Sequence, residues 1–208
     1  MLGGFSFGVS GEGKVVKLPL PRYKSNVSVE EALNERQSVR QYSKAALSIE
    51  ELSQVLWAAY GKNKWSKLTS PSAGALYPLT IYVAVGEVDT VPAGLYKYNN
   101  KKHSLIWISS QDSRSLLSEA SLGQRWVREA PVDIIVCANY RITTSRYGNR
   151  GSRYVDVEVG HLGQNIYLQA VALGLGTVAV GAFSDGEVKG VLGVDEQPLY
   201  IMPVGRLE

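Results

Sequence analysis

The longest regular pattern in the chain runs from about residue 154 to 174, and it constrains the fold more than any other segment. Apolar side chains recur there at helical spacing, at Val155, Val159, Leu162 and Ile166. Beyond Ile166 the segment is apolar nearly all round, so we expect the second half of this helix to be buried or to lie in a subunit interface. A chain of 208 residues is long enough to enclose such a helix in one domain.

Other local signals predict a mixture of helices and strands. Capping boxes at Ser28–Glu31 and Ser48–Glu51 each begin a helix, because a hydroxyl and a glutamate satisfy free backbone groups reciprocally. The order of the remaining elements includes an antiparallel meander and no regular βαβ alternation, so the predicted class is α+β, with a mixed central sheet flanked by helices. Further helices are expected near 113–122 and 186–192, and strands over 79–85, 94–98, 104–108, 132–139, 178–180 and 199–204.

The two ends of the chain differ in character. Residues 1–27 are rich in Gly, Pro and Lys and are expected to form an extended N-terminal arm, whereas residues 28–208 are expected to form one domain. The single cysteine, Cys137, lies in the apolar run 132–138 and is interpreted as a buried thiol in a strand. A chain with one cysteine forms no internal disulfide, which fits a reducing cytoplasm, the predicted location.

Composition argues against several kinds of partner. A net charge of +3 is too small to indicate nucleic-acid binding, and no apolar run approaches the ~20 residues of a membrane span. A metal is not expected either, because two histidines, His103 and His161, are too few for an ordinary zinc site. Glu158, His161, Gln164 and Asn165 could instead line a pocket or form a satisfied polar seam at a dimer interface.

A compact group of hydrogen-bond donors stands just after the first capped helix. In Arg36-Gln37-Ser38-Val39-Arg40, two guanidiniums and a hydroxyl lie within five positions, and a planar guanidinium matches phosphate oxygens. Taken alone, such a cluster is more often a solvated surface. A second unusual segment, Pro71–Pro78, is a loop of small residues between prolines. No Gly-x-Gly-x-x-Gly unit follows a strand, so a Rossmann dinucleotide site is disfavoured.

Four segments taken together resemble the nitroreductase family of FMN-dependent oxidoreductases. They are Arg36–Tyr42, Pro71–Pro78, Gly160–Ala182 and Pro203–Arg206, and the resemblance covers roughly residues 28 to 208. The SagB-type branch gives the best match to two of these motifs. One is the loop Pro-Ser-Ala-Gly-Ala-Leu-Tyr-Pro, and the other is Gly-His-Leu-Gly-Gln-Asn in the long helix. That branch includes azoline dehydrogenases, which aromatise thiazoline and oxazoline rings in modified peptides.

The resemblance implies an FMN site and an intertwined homodimer. Arg36 and the C-terminal Arg206 would hold the FMN phosphate, Ser38 would contact the ribityl chain or the phosphate, and Arg40 would lie near the pyrimidine edge. Gln37 and Gly205 would also belong to the cofactor-binding residues. A cation at that edge stabilises the negative charge that develops during flavin reduction. Gly181 and Ala182 match the segment that faces flavin N5. The residues that would reach FMN from the other subunit are Pro71, Ser72, Ala73 and Ala75.

The expected activity is two-electron transfer through flavin N5 by a ping-pong mechanism, with NAD(P)H as the expected donor and a small molecule as substrate. Two alternatives stay open: an azoline dehydrogenase, and a flavin-binding protein without turnover. Azoline oxidation would use Tyr147 and Arg146, which stand where the branch has a Lys-Tyr pair. Arginine does not release its proton near neutral pH, so generic flavin chemistry is preferred. The simpler interpretation is that a basic loop over 141–153 forms a substrate rim, with Arg141, Arg146, Arg150 and Arg153.

Overall fold

One seven-stranded sheet organises residues 14–208, the part of the chain that the computed structural model describes. Residues 1–13 of the expected N-terminal arm lie outside the described residues. The strand order across the sheet is β1-β4-β3-β2-β5-β7-β6. The strands are β1 (Val15–Lys17), β2 (Leu79–Val85), β3 (Gly94–Asn99), β4 (Ser104–Ser109), β5 (Val132–Ala138), β6 (Leu175–Thr177) and β7 (Gln197–Arg206).

Every pair of neighbouring strands in residues 14–208 is antiparallel. The predicted α+β class is confirmed, but the expectation of a mixed sheet within the chain is wrong. Strands β2, β3 and β4 follow one another through connections of only a few residues, which antiparallel neighbours can use and parallel ones cannot. At the centre, β2 pairs with β5 over its whole length, from Leu79 opposite Ala138 to Val85 opposite Val132.

Seven α-helices surround this sheet within the described part of the chain. Both predicted capping boxes are present, with Ser28 Oγ accepting the backbone N–H of Glu31 at 3.1 Å and Ser48 Oγ accepting that of Glu51 at 3.2 Å. A short 3-10 turn covers Ala73–Ala75. The helices are α1 (Val29–Glu35), α2 (Ile49–Tyr60), α3 (Arg114–Ala120), α4 (Arg125–Glu129), α5 (Tyr140–Tyr147), α6 (Arg150–Ala172) and α7 (Asp185–Leu192).

The segment 141–153, expected as a basic loop, is helical. The Asn139 side chain accepts the backbone N–H of Arg141 at 3.1 Å and so caps α5. Gly148, with φ of 56°, ends that helix, and α6 begins two residues later. The arginines therefore stand on a helical hairpin rather than on an irregular loop.

The strand expected over 178–180 lies earlier, at β6. Leu175–Thr177 pairs with the last residues of β7, whereas Val180 makes only an isolated bridge to Ile201. Between them the backbone N–H of Ala179 is bonded to the Tyr167 hydroxyl instead of to a neighbouring strand. This side-chain bond stands where a backbone hydrogen bond to β7 would otherwise continue the strand pairing.

Helix α6 packs against one face of the sheet and against α2. Val155, Leu162 and Ile166 are fully buried there, as their spacing predicts. The other face of the sheet is covered by α3, α4 and α7, and it holds Cys137, which is buried as expected. No helix among the described residues is long and apolar enough to cross a membrane.

Candidate functional site

Tyr167, on α6, joins the arginine-rich segment to the chain that follows β6. Its hydroxyl oxygen lies 3.0 Å from Ser38 Oγ and accepts the backbone N–H of Ala179 at 2.8 Å. The guanidinium carbon of Arg36 lies 5.2 Å from the centroid of the same ring, a cation–π distance. Sequence reasoning did not select Tyr167. The available signal was a phenol within the otherwise apolar second half of the long helix.

Arg40 lies in a second group of contacts that includes Ala182. Its guanidinium carbon is 5.5 Å from the Trp126 ring centroid, and Gln124 Nε2 donates to the carbonyl of Ala182 at 3.0 Å. Gly181 and Ala182 are exposed, and their backbone N–H groups donate to no backbone acceptor within residues 14–208. This segment therefore presents free donors close to the element that carries Arg40.

The loop that follows α1 is fixed by backbone contacts. The Val39 N–H donates to the carbonyl of Thr177 in β6 at 2.9 Å, and the Tyr42 hydroxyl donates back to the Val39 carbonyl at 2.8 Å. Gln37 and Val39 line a cleft of about 340 Å³ together with Tyr167. The loop is thus held against the sheet edge while its polar side chains face outward.

The charges of this loop suit an anion. Neither Arg36 nor Arg40 forms an ion pair with a carboxylate among the described residues. Each guanidinium instead rests near an aromatic face, and its N–H groups are not used by a carboxylate. Arg36 and the Ser38 hydroxyl supply donors of the kind that a phosphate monoester accepts, whereas Arg40 and the free N–H groups at Gly181 and Ala182 belong to the second group of contacts.

The C-terminal pair Gly205-Arg206 lies at the end of β7 with different neighbours. A Cβ atom added at Gly205 would lie 2.8 Å from ring atoms of Tyr42, so only glycine fits there. The Arg206 guanidinium donates to Glu51 at 2.9 Å and to the Ala46 carbonyl at 3.2 Å. In this structure Arg206 is therefore engaged with the N-terminus of α2, and its predicted phosphate contact stays a prediction.

The small-residue loop is held from within its own chain by α6. His161 Nδ1 lies 3.3 Å from the Pro71 carbonyl, and Asn165 Nδ2 donates to Ser70 Oγ at 3.1 Å. Ser72 Oγ accepts the backbone N–H of Tyr77 at 2.9 Å. The predicted contact residues Ala73 and Ala75 form the tip of this loop.

Glu158 completes the polar seam under that loop. Its carboxylate is buried and accepts a hydrogen bond from the Tyr60 hydroxyl at 2.6 Å, and Ser72 donates to it as well. Burial raises the pKa of Glu158, while the bonds from Ser72 and Tyr60 oppose that shift. Of the two interpretations open for Glu158, His161 and Asn165, the structure shows a satisfied seam, and it lies between α6 and the loop.

Arg146 and Tyr147, the proposed pair for azoline chemistry, lie against the same loop. A Cβ atom added at Gly74 would be 2.7 Å from the Tyr147 hydroxyl oxygen and 3.0 Å from Arg146 Nη1. No hydrogen bond or ion pair among residues 14–208 joins this group to Arg36 or Ser38. The predicted site residues on the loop and on the α5–α6 hairpin therefore form one group, and those joined to Tyr167 form another.

Comparison with known proteins assigns most of the chain to one protein family. The sequence profile described as the nitroreductase family matches residues 33–206. The chain belongs to the nitroreductase family. This membership confirms the predicted fold and enzyme class, a flavin-dependent oxidoreductase.

Several relatives carry the same resemblance. The nitroreductase-type protein MJ1384 of Methanocaldococcus jannaschii is 46% identical over 195 residues, which are 93% of this chain and 98% of that protein. The trifolitoxin operon protein TfxC of Rhizobium leguminosarum is 25% identical, and the match covers 84% of this chain but 54% of TfxC. An FMN reductase [NAD(P)H] of Bacillus subtilis is 24% identical over 58% of this chain and 53% of its own length.

Two crystal structures of nitroreductase-type proteins have the same fold. The protein from Anabaena variabilis superimposes with a TM-score of 0.84 at 31% identity, covering 94% of this nitroreductase-family chain and 42% of the other. The protein from Ralstonia eutropha gives a TM-score of 0.83 at 27% identity, covering 96% of this chain and 92% of that one.

Proposed function

We propose that this protein is an FMN-dependent oxidoreductase that transfers two electrons by a ping-pong mechanism, with NAD(P)H as donor and a small-molecule acceptor. The observation that carries the proposal is the Tyr167 hydroxyl, which joins Ser38 to Ala179 while Arg36 rests on the same ring. This contact gathers phosphate-type donors and the 179–182 segment at one place. Family membership supplies the chemical class.

The residues present fit an FMN molecule. Arg36, Ser38 and Gln37 would hold the phosphate and ribityl chain, and Arg206 would reach the phosphate if it left Glu51. Arg40 would lie near the pyrimidine edge, because Trp126 keeps its guanidinium beside the Gln124–Ala182 contact. Bound FMN would supply two-electron redox chemistry at its N5 atom.

The chain's own groups would tune that chemistry. The positive charge of Arg40 would favour the reduced, anionic cofactor and so raise its affinity for electrons. The free backbone N–H groups of Gly181 and Ala182 would donate hydrogen bonds to the edge of the cofactor, and no side chain would have to be reoriented for this. A donor and an acceptor would use the same open face in turn, which would explain why the sequence has no dinucleotide fingerprint.

We propose a homodimer in which the loop Pro71–Ala75 of one protomer borders the cofactor of the other. Within one protomer this loop is bonded to α6 at His161 and Asn165, and no hydrogen bond or ion pair within residues 14–208 joins it to the Arg36–Ser38 group. A complete site with both groups would therefore need a second copy. The apolar second half of α6, where Leu168 and Val171 are half-exposed in the single chain, is a suitable interface.

The absorption spectrum of the purified protein, followed by stopped-flow mixing with NADH or NADPH, tests the proposal. We expect bound FMN to bleach on mixing and to recover when nitrobenzene or a quinone is added. Parallel double-reciprocal plots would establish the ping-pong order. A protein that binds FMN but accelerates none of these reactions would be a flavin carrier instead, and one that binds none would overturn the proposal.

A second candidate function is azoline dehydrogenation on a modified peptide. The contact of Gly74 with Tyr147 and Arg146 favours it, because it brings the pair beside the proposed cofactor wall. Similarity to the trifolitoxin operon protein TfxC adds support. Since arginine is a poor base, Arg146→Lys would raise the rate of thiazoline oxidation if this function is present. No oxidation by either protein would exclude it.

A further inference from the structure

Two arginines and two tyrosines form a layered cluster on the α5–α6 hairpin, named here the Arg–Tyr cluster: Arg146, Tyr147, Arg150 and Tyr154. The rings of Tyr147 and Tyr154 meet edge to face, with centroids 5.2 Å apart. Arg146 lies 5.5 Å from the Tyr147 centroid, and Arg150 lies 5.9 Å from the Tyr154 centroid. A guanidinium near a ring is oriented by it, and its N–H groups stay available to a ligand.

The positive charge of this cluster is not neutralised within the described residues. Arg146 and Arg150 are exposed and form no ion pair. The acidic groups on the same hairpin have other partners, since Asp156 accepts the Tyr140 hydroxyl and Glu158 accepts the Tyr60 hydroxyl. The cluster therefore offers two preorganised cations to an anion from solution.

Arg141 and Arg146 of the hairpin have different surroundings. Arg141 lines a cleft on the α5 side together with the acidic residues Asp195 and Glu196. Arg146 is the arginine that reaches the tip of the small-residue loop, with Nη1 3.0 Å from the position that a Cβ at Gly74 would take. Arg146 therefore lies beside the small-residue loop, whereas Arg141 lies near acidic side chains.

We propose that the Arg–Tyr cluster is a subsite for an anionic group, a carboxylate or a phosphate, on a molecule that exchanges electrons at the site. The inference rests on the proposed function, because the cluster borders the loop that would form the cofactor wall. The anion could come from two sources: the carboxylate of an acceptor, or the 2′-phosphate that distinguishes NADPH from NADH. Either would accept charge-assisted hydrogen bonds from guanidinium N–H groups of the cluster.

Matched substrate pairs distinguish the two sources. In the acceptor arm, kcat/KM is measured for 4-nitrobenzoate and for nitrobenzene with the same donor. In the donor arm, it is measured for NADPH and for NADH with the same acceptor. Arg150→Gln and Arg146→Gln should each lower one of two kcat/KM ratios, 4-nitrobenzoate over nitrobenzene or NADPH over NADH, by about 5- to 10-fold, as expected for loss of a charge-assisted hydrogen bond. The arm that responds identifies the source.

Lys101→Gln is the matched control, because Lys101 is exposed on the β3–β4 turn and its loss removes the same unit of charge. It should leave both ratios unchanged. An equal fall for Lys101→Gln would show general electrostatic steering and would overturn the subsite. Unchanged ratios in both arms for both arginine variants would overturn it as well.

A binding measurement separates failure of the subsite from failure of the proposed function. Equilibrium dialysis of the purified protein with 4-nitrobenzoate and with adenosine 2′,5′-bisphosphate needs no turnover. We expect one of these probes to bind, and to bind about 5- to 10-fold more weakly to Arg150→Gln. Normal flavin reduction with no binding of either probe would refute the subsite alone. Probe binding by a protein without flavin turnover would refute the function and leave the anion subsite standing.

Discussion

Ser38 and Tyr167 stand 129 positions apart in the chain, yet their hydroxyl oxygens lie 3.0 Å apart. The same phenol oxygen accepts the Ala179 N–H, and the same ring lies beside Arg36. One side chain of α6 therefore orders the loop that follows α1 and the segment that follows β6. Under the proposed function, it sets the distance between the phosphate end and the redox end of the cofactor.

Tyr167→Phe should weaken FMN binding without removing it. The variant keeps the ring under Arg36 but loses both hydroxyl contacts, so we expect a cost of about 1 kcal/mol, or roughly fivefold in Kd. Fluorescence titration of the flavin-free protein with FMN measures this change. Tyr23→Phe, at an exposed tyrosine, is the control. Equal affinities for Tyr167→Phe and the parent protein would remove Tyr167 from the site.

Arg36→Ala should release FMN more readily than any exposed-lysine variant. Loss of a charged hydrogen bond to the phosphate would cost about 1.5–3 kcal/mol. Retained flavin after extensive dialysis is the measurement, and Lys44→Ala, at an exposed lysine beyond the same loop, is the control. A full yellow complement in Arg36→Ala would contradict the phosphate assignment.

Arg206 can be tested against its observed partner. The guanidinium is bound to Glu51 and to the Ala46 carbonyl, so Arg206→Ala removes these bonds together with any phosphate contact. Glu51→Gln removes the ion pair but keeps a side chain that can complete the capping box with Ser48. We expect Arg206→Ala to weaken FMN binding by about 1.5–3 kcal/mol and Glu51→Gln to leave it nearly unchanged. Titration calorimetry with FMN compares the two. Equal affinities would assign Arg206 to the stability of α2 alone.

Gly205→Ala should destabilise the fold near the proposed site. A methyl group there would meet the Tyr42 ring at 2.8 Å, and overpacking of this kind costs about 1–3 kcal/mol. Gly190→Ala is a useful contrast, because a Cβ at this position inside α7 meets nothing within 4 Å. That change should stabilise the protein by about 0.5–1 kcal/mol through helix propensity. Urea unfolding gives the free energy of unfolding of both variants and of the parent protein. An unchanged value for Gly205→Ala would contradict the close contact with Tyr42.

Stability should fall as pH rises because of Asp133. Its carboxyl oxygens are buried and have no hydrogen-bond partner within residues 14–208, and burial raises its pKa well above the usual value near 3.8. The folded protein keeps this proton after the unfolded chain has lost it. The stabilising contribution is therefore complete below about pH 4 and declines by about 1.4 kcal/mol per pH unit as the pH rises toward the folded pKa.

Asp133→Asn should remove that pH dependence and raise the free energy of unfolding at neutral pH. The amide has nearly the same shape and carries no proton that the unfolded chain would release. Unfolding curves in urea between pH 5 and pH 8 give the comparison with the parent protein. Asp89→Asn, at an exposed aspartate, should leave the slope unchanged. A parallel pH dependence in Asp133→Asn and the parent would show that Asp133 is ionised in the folded state.

Local chemistry made much of the fold predictable. The capping boxes depend on residues three positions apart, and the apolar stripe of α6 is a simple periodicity. The α5 hairpin escaped prediction because it is rich in arginine and has almost no apolar stripe. Its stability comes from the Asn139 cap and from close packing on α6, where a Cβ at Gly151 would lie 2.7 Å from the Thr144 backbone.

The candidate site was predictable only where short motifs define it. Arg36, Ser38 and the small-residue loop stand out as patterns, and the structure gives each of them defined contacts. The roles of Tyr167 and Glu158 depend on distances between elements far apart in sequence, which no local pattern encodes. Arg206 illustrates the same limit, since Glu51 lies 155 positions earlier in the chain.

Helix α6 carries the seam to the small-residue loop at His161 and the joint to the arginine-rich loop at Tyr167. Six residues of α-helix correspond to a rise of about 9 Å. Because an α-helix hardly stretches, α6 keeps a constant distance between the small-residue loop and the arginine-rich loop. An insertion of a single residue between positions 161 and 167 would rotate one half by about 100° relative to the other. Substitutions that change the substrate range are therefore tolerated more easily in these two loops than in the segment of α6 that connects them.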